Sequence, residues 1–284
     1  MATSVETHLP TDAGAATAAE QRRGTLRRHA NLTRELAISQ FKLKYTGSVL
    51  GYLWSLFKPL MLFGILYVVF AKLFHLDKGT DNYIFQLLLG IVLFTFFQET
   101  TQTAMNAIAS NGNMIRKAYF PRPILVVAAT LSSLMTFLIN LVLIIVIAGS
   151  LGKLSLGWYS LLVPLFLIEL YLLVLGIALL LSSLFVFYRD MGHIWEIFMQ
   201  LLVYASAVIF PITLVPERLR GLVLTNPMAQ IIEDMRRALV SSKIAWSVDD
   251  MHIAYIVPFG IIAILILLGL WVFNRLTPRF AEYL

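Results

Sequence analysis

The chain has 284 residues, of which 59% are hydrophobic and only 13% charged, with a mean hydropathy of +0.80. An average soluble domain carries roughly 25% charged residues, so this composition excludes a water-soluble globular protein, which could not cover its own surface. The absence of cysteine excludes a disulfide framework, a thiol nucleophile and thiolate metal sites, and the net charge of +6 needs a location before it has a meaning.

Residues 1–28 are Ala/Thr-rich and then Arg-rich, without the apolar core of a signal peptide. Alanine buries too little to offset ordering entropy, so this stretch reads as a disordered tail. A membrane domain follows over 29–284. Residues 31–53, NLTRELAISQFKLKYTGSVLGYL, read as a helix at the membrane surface. Leu32, Leu36 and Leu43 fall on one side and Ile38, Phe41 and Tyr45 roughly opposite. Lys/Arg and aromatic residues hold such a helix at an interface; contact with a cytoplasmic partner is the second reading.

A membrane span needs about 20 mostly apolar residues. Runs that meet this test lie near 57–76, 84–105, 124–149, 160–187, 194–214 and 253–274. They are too long, and lack the alternation, for barrel strands. The expected fold is therefore an all-α integral membrane protein with six transmembrane helices. The second run is the weakest, turning polar at Gln98, Glu99, Thr100, Thr101 and Gln102. A half-polar helix packs on protein, lines an aqueous path or projects beyond the bilayer.

Between spans two and three, the loop 107–123 has an Asn-Gly-Asn turn, one or two helical turns over 114–119, and a stop at Pro121 and Pro123. It is either a handle for a soluble partner or an ordinary connector. Between spans five and six, 211–252 is broken by Pro211, Pro216 and Pro227, with helix-like pieces at 219–224 and 228–240. In the second piece Met228, Ile231, Ile232, Met235 and Leu239 share an apolar face, opposite Glu233, Asp234, Arg236 and Arg237. Such helices dip into the outer leaflet or lie on it.

Lys and Arg sit mostly before span one and in the loops at 116–122 and 189, with Arg275 and Arg279 in the tail; the five basic residues between Pro211 and His252 are matched by five acids. The asymmetry places both termini in the cytoplasm and accounts for the basic excess without nucleic acid. Within the spans, Glu196 is expected to pair with Arg189 as a cytoplasmic structural pair, and Glu169 has no evident partner. There is no phosphate-binding loop, metal-ligand spacing, catalytic constellation, proton-relay chain or evident inverted repeat. By elimination, the pattern fits a transport subunit energised from outside.

YTGSVLGYLWSLFKPL (45–60), NGNMIRKAYFPRPIL (111–125), FYRDMGHIWEIFMQLLVYASAVIFPITLVPE (187–217), NPMAQIIEDMRRAL (226–239) and RFAEYL (279–284) occur in order. Together they resemble the permease subunits of type-2 ABC exporters for cell-surface polysaccharides, the family that moves O-antigen, teichoic acid or capsule. The resemblance covers about residues 30–284. It implies a non-catalytic permease of the bacterial inner membrane, working as a homodimer with two copies of a separate cytoplasmic ATPase that holds ATP and Mg; this chain needs no cofactor. It implies a gate helix at the interface, carrying Phe41, Lys42, Lys44 and Tyr45, and a coupling helix that docks on the ATPase with Asn113, Met114, Ile115, Arg116, Lys117 and Tyr119. It also implies two short re-entrant helices near 214–225 and 228–240.

The implied substrate is a lipid-linked glycan, O-antigen-like first and teichoic acid, galactan or capsule next. Sugars bind through hydroxyl hydrogen bonds and aromatic stacking, so Trp54, Tyr67, Phe94, Phe96, Phe97, Gln98 and Thr101 are the candidates for the path. An exporter of drugs or small lipids is the alternative, followed by a membrane-embedded transferase.

Overall fold

A computed structural model describes residues 12–46, 51, 53–75, 82–117, 121–155 and 157–283. Among them the chain is all-helical, without strands. Five helical segments are long and apolar enough to cross a membrane: Leu53–Leu73, Tyr83–Ser110, Pro123–Ser150, Trp158–Phe187 and Ser247–Arg279.

Helix α1 runs Asp12–Tyr45 and lies along the start of α5 (Pro123–Ser150), burying Ala37. It begins where a disordered tail is expected through residue 28. Residues 15–23, AATAAEQRR, are mostly good helix formers without proline, so a helix anchored by later contacts propagates back through them. Thr46 is a turn, so the helix expected over 31–53 ends at Tyr45.

Helix α2 (Leu53–Tyr67) contains Pro59 and widens into π-helical turns over Val68–Leu73. Proline has no N–H to offer the carbonyl four residues back. The carbonyl of Ser55 instead accepts Asn140 Nδ2 from α5 at 3.2 Å. A polar side chain in the third span thus repairs a break in the first.

The centre of the fold is α3 (Tyr83–Ser110) against α6 (Val163–Phe187), with α5 on α3 and α11 (Ile256–Leu276) on α6. The α6–α11 crossing brings backbones together. A Cβ on Gly269 would lie 2.5 Å from the Gly176 carbonyl oxygen, and one on Gly176 would lie 2.9 Å from Ile266 N. Membrane helices use small residues in this way, since packing rather than water drives their association.

The fifth expected span, 194–214, is not one continuous helix. Helix α7 covers Met191–Ala205, and its 15 residues reach only about 22 Å at 1.5 Å per residue. Ala207 takes a positive φ of 48°, and Pro211 lies beyond it, so the helix cannot continue. Helices α8 (Glu217–Leu224) and α9 (Pro227–Leu239) follow, then the single-turn α10 (Ser247–Met251). A short helix α4 (Gly112–Lys117) joins α3 to α5, and α12 (Phe280–Tyr283) ends the described chain.

Helix α9 departs most from expectation. Most of its polar face does not meet water: Glu233, Asp234 and Arg236 are buried, Arg237 is half-buried, and the helix is packed among α3, α6 and α11. The buried charges have partners. Arg236 pairs with Glu233 Oε2 at 3.2 Å and donates to the carbonyls of Gln86 (3.1 Å), Val208 (2.8 Å) and Phe210 (3.5 Å). Tyr83 donates to Ile209 O at 2.7 Å. Side chains thereby satisfy the carbonyls of the non-helical stretch after α7, which buried backbone requires. Gly90 provides the room, since a Cβ there would lie 2.9 Å from both Arg236 Nη2 and Val208 O.

Asp234 accepts from Ser247 N (2.9 Å), Ser247 Oγ (2.6 Å), Gln230 Nε2 (2.8 Å) and Tyr255 OH (3.2 Å). Burial pushes both carboxyls of α9 up, outweighing Arg236 beside Glu233 and the donated hydrogen bonds at Asp234. Both ends of the helix are also tied down. Asn226 Oδ1 accepts Met228 N at 3.0 Å ahead of Pro227, and Ser160 Oγ and Ser155 N donate to the Ala238 and Leu239 carbonyls.

Candidate functional site

The polar half of α3 remains open along one side. Gln98, Gln102 and Thr103 are exposed, one helical turn apart, with Glu99 between them. Thr103 and Asn106 return hydrogen bonds to the carbonyls of Glu99 (2.7 Å) and Gln102 (2.9 Å), so these polar groups are compatible with an unbroken helix.

Glu99 joins three elements. Its Oε2 lies 3.5 Å from Lys44 Nζ of α1, and its Oε1 lies 3.4 Å from Lys58 Nζ of α2. The carboxylate therefore ties α1 and α2 to α3. Two clefts open beside it. One of about 450 Å³ is lined by Trp54, Phe57, Met61, Lys44 and Lys58; the other, of about 390 Å³, is lined by Gln98, Gln102, Thr103, Glu196 and the same two lysines. Trp54 and Phe57 meet edge to face, with ring centroids 5.6 Å apart. The arrangement offers amide, hydroxyl and cationic groups next to exposed aromatic rings, which suits a ligand with both polar and apolar parts.

The expected path residues separate into two groups. Trp54 and Gln98 are exposed and Tyr67 is half-buried, stacked on Phe63 at 5.9 Å. Phe94, Phe96, Phe97 and Thr101 are instead buried inside the chain's own fold. Phe96 stacks on Phe137 at 4.4 Å, Phe94 and Phe97 are tilted at 6.2 Å, and Thr101 Oγ1 accepts Trp195 Nε1 at 2.9 Å. Three aromatics within four residues cannot share one narrow helix face, and α3 is enclosed widely enough here that Phe94, Phe96 and Phe97 all fill the core.

At the end of α1, Lys42 and Lys44 are exposed and Phe41 is half-buried; Tyr45 closes the helix. Asn113, Met114, Ile115, Arg116 and Lys117 lie in α4. Asn113 and Met114 are exposed, and Ile115 is buried in the core. Tyr119 lies outside the described residues.

Arg189 and Glu196 are not an ion pair. Arg189 precedes α7 and places its guanidinium 5.1 Å from the centre of the Phe185 ring, whereas Glu196, a turn and a half into α7, faces the cleft beside Glu99. Glu169, buried on α6, faces Gln230 and Asp234 of α9. Among the described residues, its Oε1 and Gln230 Oε1 are both buried acceptors without a donor. Sequence reasoning finds Glu99 as an intramembrane acid but misses its lysine partners. The available signal is that two lysines flank the start of the first span.

Because both lysines are partly exposed, each pair contributes only about 0.2–1 kcal/mol. Glu99→Lys should therefore leave the fold intact while three cations repel at the junction. The expected result is faster amide exchange over 36–45 with little change over α5 and α6. Unchanged exchange in α1 would show that Glu99 does not hold that helix.

Several known proteins are similar to this chain. The O-antigen export system permease protein RfbA of Klebsiella pneumoniae is 28% identical over 244 residues, covering 86% of this chain and 91% of that protein. RfbA of Myxococcus xanthus is 24% identical over 209 residues, covering 73% and 79%. The polysialic acid transport protein KpsM of Escherichia coli is 22% identical over 245 residues, covering 83% and 90%. The family described as ABC-2 type transporter matches residues 31–240, from within α1 to the end of α9. With all-helical spans and the polar face of α3 inside that match, the chain belongs to the ABC-2 type transporter family, as a membrane permease.

Proposed function

We propose that this chain is the permease subunit of an ATP-driven exporter that passes a lipid-linked polysaccharide, O-antigen-like in the first instance, across the bacterial inner membrane. Two copies form the path, and a separate ATPase supplies the energy through α4. The observation that carries the reading is the open polar face of α3. Gln98, Glu99, Gln102 and Thr103 sit on a membrane-length helix, and hydrocarbon cannot satisfy such groups. A second copy facing a shared aqueous path accounts for them. The first span, few of whose residues are buried within one copy of the chain, stands beside that face and fits a shared wall.

Six crossings follow if α7 and the stretch after it complete the fifth, with both termini in the cytoplasm and α4 facing the ATPase. Helices α8 and α9 then form the outer re-entrant pair. Support comes from the buried charges of α9 and the side-chain-satisfied carbonyls beside it, the condition for irregular backbone at membrane depth. Support for that substrate class comes from relatives named as an O-antigen export permease and a polysialic acid transport protein.

The test is co-expression with the partner ATPase in a strain that makes the glycan. Replacing the Asn113-Met114-Ile115-Arg116-Lys117 sequence with a Gly/Ser linker should stop export and cause lipid-linked glycan to accumulate inside, while the permease still reaches the membrane. Unchanged export and assembly would remove α4 from the coupling role. Accumulation of a small amphiphile in a strain lacking the chain would replace the substrate class.

A further inference from the structure

The C-terminal motif RFAEYL has no part in the polar face, yet it occupies the inner end of the fold. After α11, Thr277–Arg279 makes one tight turn and α12 folds back beneath the bundle. Phe280 is fully buried there, in a cluster with Ala104, Ala107 and Ile108 at the end of α3, Ile115 of α4, Leu125 at the start of α5 and Val186 at the end of α6. Its ring lies edge-on to Phe273 at 5.5 Å and tilted to Phe187 at 6.0 Å, and Phe187 meets Tyr283 at 4.7 Å.

Arg122, at the end of the α4–α5 loop, closes the arrangement. Its guanidinium donates to the Thr277 carbonyl and lies over the Phe280 ring, 5.9 Å from the centroid. A cation at a helix C-terminus also complements the exposed carbonyls and the macrodipole of α11. The two residues thus connect both sides of α4 to the end of the last helix.

The far end of α11 is tied as firmly. Tyr255, just before it, donates to Asp234 of α9, and midway the helix crosses α6 backbone to backbone at Gly269 and Gly176. Its 21 residues make a rod of about 31 Å, fixed at α4 below and at α9 above. Close-packed interiors transmit displacement because they contain no slack.

We propose that Thr277–Tyr283 is a hook through which displacement of α4 reaches α11 and, along it, α9, with Phe280 and Arg122 as the positioning residues. This rests on the reading of α4 as the contact with the ATPase. It makes α11 the connection between the nucleotide cycle and the outer end of the path, acting without touching nucleotide or substrate.

The test uses the full permease with its ATPase in lipid nanodiscs and proteoliposomes, comparing wild type, F280A, F280L and R122Q. In F280A, ATP hydrolysis should continue while glycan exported per ATP falls roughly ten-fold, within the usual span of coupling energies. Amide exchange should rise over Gly112–Lys117, and α9 should stop changing protection on ATP addition. F280L, which restores apolar volume, should recover most of the ratio, and R122Q should lower it. Wild-type export per ATP in both F280A and R122Q, or an intact response of α9, would overturn the hook. If the wild-type complex exports nothing, the transport reading falls and exchange decides the hook alone: faster exchange at α4 in F280A keeps it, and unchanged exchange ends it.

Discussion

Arg236→Met should be the most damaging single exchange in and around α9, lowering the melting temperature in detergent by about 10 °C or more. The side chain is about the right length for the site, so lost volume is a minor factor. The loss is of donors. Glu233 would be left buried without its cation, and breaking such a pair costs about 3–5 kcal/mol. The Val208 and Phe210 carbonyls would lose the donor that reaches them from α9, at about 1–3 kcal/mol for each buried acceptor left unmade.

A double variant separates these contributions. Arg236→Met with Glu233→Leu removes both charges, and replacing a buried pair with apolar residues is often neutral. Here it should recover only part of the loss, because Val208 and Phe210 remain unpaired. Full recovery would show that the pair, and not the broken stretch after α7, is what Arg236 serves. Arg236→Lys tests the same point differently. It keeps the charge but not the fork that reaches Glu233 and three carbonyls at once, so it should sit between wild type and Arg236→Met.

Helix α9 also shows how far the sequence can be read. The apolar set Met228, Ile231, Ile232, Met235 and Leu239 is legible from its period, and the helix is where that period places it. The opposite face reads as wet because charged residues usually are. Its partners are Gln86, Val208, Ser247 and Tyr255, and Glu169 faces the same helix from α6, so only the tertiary fold reveals that protein rather than water meets most of that face. Periodicity reports that one face is polar, and it does not report whether water or protein supplies the partners.

The other differences have the same origin. Hydropathy carries the fifth span through 206–214, because Ser206 and Ala207 do not announce a break; the structure has a positive φ at Ala207, beside the 2.9 Å hydrogen bond that Asn226 donates to Ser206 Oγ. Arg189 and Glu196 look like partners because they are close in sequence, but the turn before α7 sends them apart. By contrast, α5 and α6 follow from length and apolarity alone, and the short helix α4 follows from its Asn-Gly-Asn start. The polar face of α3 is visible as the weak end of a span. The lysines that complete it come from two other elements, and only the fold brings them to Glu99.

Gly269→Leu is expected to have the second-largest effect, and the reason lies in backbone distances. At 2.5 Å from the Gly176 carbonyl oxygen, even a methyl group cannot be accommodated by turning a side chain, since the obstacle is main chain. The helices must part, and every contact along α6–α11 weakens with them, because dispersion falls steeply with small gaps. Overpacking of this kind typically costs about 1–3 kcal/mol, and more where nothing can yield. Gly269→Ala should already destabilise, and Gly269→Leu should do so further. Gly260, on the same helix, faces open space, with nothing within 4 Å of where a Cβ would stand, so Gly260→Ala is the control. It should be neutral or stabilising by about 0.5–1 kcal/mol, the ordinary advantage of alanine over glycine in a helix. Thermal unfolding of the three variants in one detergent checks the ordering. If Gly269→Ala matched Gly260→Ala, the close crossing would carry no energy, and α11 would be free to slide on α6 rather than move with it.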